Sequence, residues 1–134
     1  MIKLLFPDPL IWQAGVEYGL QALAGLSSGE WVCGLPNHGP MLESTAFAIH
    51  QLGLQDRVKF QSRHKYLFGS SQIALFPRVA PLNRKLLLRN LKRGQIVVTS
   101  DPSIDFEFTN LFVFPKRDWY SLREILLNLM GQKR

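Results

Sequence analysis

Cysteine is nearly missing: Cys33 stands alone in 134 residues, so no disulfide can form within the chain and nothing marks an oxidising compartment. Long apolar runs are missing too. The start, MIKLLFPDP, breaks at Pro7, Asp8 and Pro9, too early for a signal-peptide core or a membrane span. A cytoplasmic protein with no membrane partner is expected. The sequence also contains no GxxxxGK[ST] or GxGxxG loop, no HExxH and no paired CxxC. P-loop hydrolysis and zinc chemistry therefore lack a starting motif, and neither a cofactor nor a metal is implied.

Acids are absent from one long span. Residues 57–100 carry ten Lys and Arg and no Asp or Glu, whereas residues 1–56 sum to −4 and the whole chain to +6. Cations without sequence neighbours of opposite charge either face solvent or meet an anionic partner.

What is present is an ordinary globular composition, 46% hydrophobic and 19% charged, in a length that suits one α/β domain, 1–134. The stretch 94–115 is its centre: Ile96 to Val98 and Leu111 to Phe114 are continuous apolar runs, as in strands covered on both faces of a parallel sheet. Between them, Thr99, Ser100, Asp101 and Pro102 form a polar turn on the rim where α/β folds keep their sites. Further strands are expected at Ile2–Phe6, as an edge, at Glu30–Leu35 and at Val58–Phe60. Ile73–Phe76 reads as a strand or a buried loop. Helices are expected at Pro9–Leu26, capped by Asp8, and at Met41–Leu52, Pro81–Arg93 and Asp118–Met130. Gly15 and Gly19, four apart, indicate close packing against a sheet. The expected fold is a mainly parallel, RecA- or Rossmann-like sheet of about five strands with helices on both faces.

The strand Trp31 to Gly34, the Leu-Gly-Leu at 52–54, the basic leucine-rich helix running into Gly94 and the stretch VVTSDPSIDF together resemble the second RecA-like lobe of superfamily 2 helicases. Thr99, Asp101, Ile104 and Asp105 match positions of that family's V-x-T-D-x-x-x-x-G-I-D motif, with Ser103 in place of its glycine. The ATP-binding lobe and the arginine-rich final motif are not in this sequence. The resemblance therefore implies the fold and nucleic-acid backbone contact, without ATPase activity.

Three functional readings follow. In the first, the chain is a non-catalytic, nucleic-acid-associated subunit of a larger nucleoprotein or replication assembly. Arg63, His64, Lys65, Arg84, Lys85, Arg89, Lys92 and Arg93 neutralise DNA or RNA phosphates, and Thr99 and Ser100 bond the backbone. Lys85, Arg89 and Lys92 share one helix face. In the second, a small enzyme acts on a phosphorylated or anionic substrate at a rim built from Cys33, His38, Asp101 and Asp105, with Thr99 beside them. In the third, the basic face docks an acidic protein.

Overall fold

The structure, a computed structural model, describes residues 2–26, 31–61, 71–101 and 108–131. Arg63, His64, Lys65, Ser103, Ile104 and Asp105 lie outside the described residues. Six strands, β1 (Ile2–Leu5), β2 (Trp31–Pro36), β3 (Val58–Gln61), β4 (Ile73–Phe76), β5 (Ile96–Thr99) and β6 (Leu111–Val113), form one sheet in the order 3-2-1-4-5-6. Every neighbouring pair is parallel. This is the strand order of the doubly wound dinucleotide-binding fold, whose direction of winding reverses between β1 and β4.

The expected α/β class holds, with one strand more among the described residues and with β1 at the centre instead of the edge. Leu4 pairs with both Cys33 of β2 and Ile73 of β4, so β1 receives hydrogen bonds on both sides. Its sequence, IKLL, is too short to show this; its place follows from which strands pair with it. β4, ambiguous in sequence, is buried along its whole length. A four-residue run without polar alternation suits a central parallel strand, because both faces are covered.

Among the described residues four helices supply that cover: α1 (Val16–Ala24), α2 (Leu42–Gln51), α3 (Lys85–Lys92) and α4 (Trp119–Leu129). Successive residues of the strands feed opposite faces. Ile73, Leu75 and Val98 join a large core with Leu20 and Leu23 of α1, Ile49 of α2 and Leu122 and Leu126 of α4. Ala74, Phe76 and Val97 join a smaller one with Leu87 and Leu91 of α3. Among the described residues no helix is long and apolar enough to cross a membrane.

The first helix departs from expectation in a way that shapes the rim. Instead of starting at Pro9, the chain makes a 3-10 turn at Trp12–Ala14, passes through Gly15 with φ +65°, and only then enters α1. Gly15 is tied down: a Cβ there would stand 2.0 Å from the Pro77 carbonyl oxygen. At Gly19 a Cβ would stand 2.3 Å from the Phe6 ring. The pair thus serves close packing of α1 on the ends of β1 and β4, as its spacing indicated.

Candidate functional site

The carboxyl ends of β1, β4 and β5 meet at the point where the winding reverses, and a buried arginine joins them. Arg78, two residues past β4, donates from Nε to Asp8 Oδ2 at 2.8 Å and from Nη2 to Asp8 Oδ1 at 3.0 Å. Its Nη1 reaches Asp101 Oδ2 at 3.5 Å, and Nη2 also donates to the Asn83 carbonyl at 3.3 Å. The guanidinium lies over the Phe76 ring, 4.9 Å from its centroid. Only 2% of Arg78 is exposed, a burial an arginine tolerates when its charge is matched and its donors are used.

Asp8 therefore does not cap α1; it holds Arg78. The acid-free span misled for the same reason: Arg78 takes its counter-charges from outside that span, 70 residues back and 23 residues on. One local signal was available. An arginine between Phe76-Pro77 and Val79-Ala80, directly after a buried strand, has to go inside, and inside it needs carboxylates.

Thr99 and Ser100 are buried and bonded to backbone. Thr99 Oγ1 donates to the Phe76 carbonyl at 3.1 Å and accepts from the Asp101 N–H at 3.0 Å, while Ser100 Oγ donates to the Arg78 carbonyl. They fasten the end of β5 to the segment after β4, and both hydroxyl protons go to backbone carbonyls. The expected Cys33, His38 and Asp101 rim does not assemble either. Cys33 lies inside β2, fully covered, and burial pushes its thiol far up, away from the thiolate. His38 is exposed in the loop after β2, whereas Asp101 follows β5. With β1 and β4 between them, β2 and β5 stand three strand spacings apart, roughly 14 Å.

The basic residues of α3 remain on the surface. Lys85, Arg89 and Lys92 are exposed on it, and Arg84 and Arg93 flank it. Lys85 and Arg89 line a cleft of about 310 Å³ with Asp8, Pro9, Leu82, Asn83 and Leu86. This cleft runs between the loop leaving β1 and the start of α3, over the reversal point. The Asn83 side chain accepts from the Lys85 N–H at 2.8 Å, which anchors the helix start at the cleft wall. A second opening, of about 190 Å³, lies on the other side of the same loop, and Trp12, Glu17, Tyr18 and Arg117 are among its lining residues.

No protein-family model matches the chain, and no curated protein sequence matches it. Solved structures do. A glycosyltransferase from Rickettsia africae superposes with a TM-score of 0.84 at 15% identity, over 98% of this chain and 38% of that one. Anabaena HepE in complex with UDP-glucose gives 0.81 at 18% identity, over 98% and 39%. The C-terminal domain of a group 1 glycosyltransferase, LpcC of Francisella tularensis, gives 0.81 at 11% identity, over 97% and 75%. The chain thus spans about two fifths of the full-length enzymes and most of the isolated domain. At these identities the likeness is one of fold. It replaces the helicase-lobe resemblance, and with it the expectation of a nucleic-acid-associated assembly subunit, because the matching folds are those of sugar-transferring enzymes. Thr99 and Asp101, the described part of the motif that suggested a helicase, tie the end of β5 to the end of β4 instead.

Proposed function

We propose that this chain is a nucleotide-sugar-binding domain of a glycosyltransferase, with the nucleoside diphosphate lying in the cleft between the β1 loop and α3. One observation carries the reading: the reversal point of a 3-2-1-4-5-6 parallel sheet, the usual ligand position in such folds, opens here onto two cations one helical turn apart, Lys85 and Arg89. A diphosphate needs such neutralisation, and needs it more as the glycosidic bond to the donor breaks and charge collects on the leaving phosphate. Pro9, Leu82 and Leu86 offer apolar walls to the remainder of the nucleotide. The single buried cysteine suits a cytoplasmic setting.

Among the described residues Asp8 is the one carboxylate lining this cleft, and Arg78 takes both its oxygens. In this reading the domain holds the donor and stabilises the leaving group, and the base that activates the acceptor hydroxyl comes from elsewhere in the enzyme. Calorimetric titration with UDP and UDP-glucose tests it. Binding is expected, and Lys85→Gln and Arg89→Gln should each weaken it by about tenfold, the loss of one charge-assisted hydrogen bond. Absence of binding by either nucleotide, or affinities untouched by both substitutions, would remove the proposal.

A further inference from the structure

Trp12 is 61% exposed, yet the loop that carries it is not loose. On one side the Val79 N–H donates to the Gln13 carbonyl at 2.9 Å; on the other the Met41 N–H donates to the Leu10 carbonyl at 3.0 Å and the Leu10 N–H to the His38 carbonyl at 3.3 Å. Gly15, pressed against Pro77, closes the loop behind it. An indole on a fixed backbone and open to solvent is a stacking surface whose loop is ordered before anything binds.

The opening beneath Trp12 holds two charged groups of opposite sign. Glu17 comes from the first turn of α1 and Arg117 from the turn before α4, and neither pairs with an opposite charge among the described residues. Arg117 has φ +66°, the one positive φ outside glycine among the described residues, immediately before the Asp118 cap of α4. Non-glycine residues are held in this region when the surrounding structure demands it, and they gather at binding sites. The half-buried Tyr18 adds a second ring at the opening.

We infer that this opening is a pyranose subsite, in which Trp12 stacks on the C–H face of a sugar ring while Glu17 accepts from and Arg117 donates to its hydroxyls. A sugar ring is the ligand that combines an apolar face with hydroxyls able to use a carboxylate and a guanidinium together. The cleft, at about 190 Å³, is the size of one ring and below the range of sites for larger ligands. The inference rests on the glycosyltransferase reading, because the subsite lies across the β1 loop from the proposed diphosphate position, with Pro9 lining one cleft and Ile11 the other. The ring could belong to the donor or to the acceptor.

The test uses the indole N–H resonances in a ¹⁵N–¹H spectrum, one each for Trp12, Trp31 and Trp119, with Trp12 assigned by its disappearance in Trp12→Phe. The protein is titrated with uridine, UDP, UDP-glucose and the methyl glycosides of glucose, galactose and mannose, the glycosides both with and without UDP. A saturable shift of the Trp12 signal by UDP-glucose beyond that with UDP assigns the donor sugar; a shift by a glycoside assigns the acceptor. In either case Trp12→Ala and Arg117→Ala should weaken the sugar contribution by about tenfold. A Trp12 signal unmoved by every sugar, or moved equally by uridine, would overturn the inference. UDP affinity from calorimetry separates the two failures: UDP bound with Trp12 silent defeats the subsite alone, and UDP not bound defeats the donor cleft.

Discussion

Arg78 and Asp8 form a two-pronged ion pair, at 2.8 and 3.0 Å, between residues that share no element and lie 70 positions apart. The pair bolts the exit of β1 to the exit of β4, the two strands between which the sheet reverses its winding. Asp101 joins from β5, so three strand ends share one guanidinium. Replacing the arginine with Met takes the guanidinium away from two largely buried carboxylates, Asp8 and Asp101. Arg78→Met is expected to lower stability by about 3–5 kcal/mol, read from urea unfolding, with Asp8→Asn recovering part of the loss in the double variant.

Gly15 offers a cleaner backbone test. Gly15→Ala meets both a left-handed φ and the Pro77 carbonyl, whereas Gly94→Ala, at φ +85°, meets nothing within 4 Å. Gly94→Ala should cost roughly 1–2 kcal/mol from conformation alone. Gly15→Ala should cost clearly more, and it should disturb the Trp12 resonance, because the loop can relieve the clash only by lifting off Pro77. Equal unfolding midpoints for the two variants would contradict the tight contact.

At the start of α4 the Asp118 carboxylate accepts from the Ser121 hydroxyl at 2.7 Å and the Ser121 N–H at 3.0 Å. Those bonds, the hydroxyl first, hold the Asp118 carboxyl below the usual carboxylate range. A lowered folded pKa means the cap stabilises fully above the unfolded value, near 4, and fades as the pH falls through the folded one. Thermal unfolding of wild type and Asp118→Ala should therefore differ most at neutral pH and converge in acid. A gap that widened on acidification would show the opposite linkage.

Cys33 is expected to resist alkylation by iodoacetamide in the folded protein at pH 8 and to react at once in denaturant, because burial disfavours its thiolate. UDP affinity should survive Cys33→Ala. Rapid labelling of the native protein would reopen the rim site that included this thiol.

The alternation of strands and helices, the parallel sheet and the close packing at Gly15 and Gly19 were legible from apolar runs and turn residues, since these are local patterns. So were the cations of α3, because Lys85 and Arg89 fall four apart on a helix whose leucines face the core. Strand order was not legible: no local feature of IKLL says that β1 is central, and only pairing on both sides decides it. Nor could sequence distance show that Arg78, in a span without acids, finds Asp8 and Asp101, or that Thr99 and Ser100 spend their hydroxyls on carbonyls of a neighbouring strand end. Local patterning acts through backbone geometry within a few residues, so composition and periodicity determine the elements. Which charges meet, and which polar groups remain for a ligand, depends on desolvation and pairing across strands distant in the chain, and the tertiary structure alone sets those.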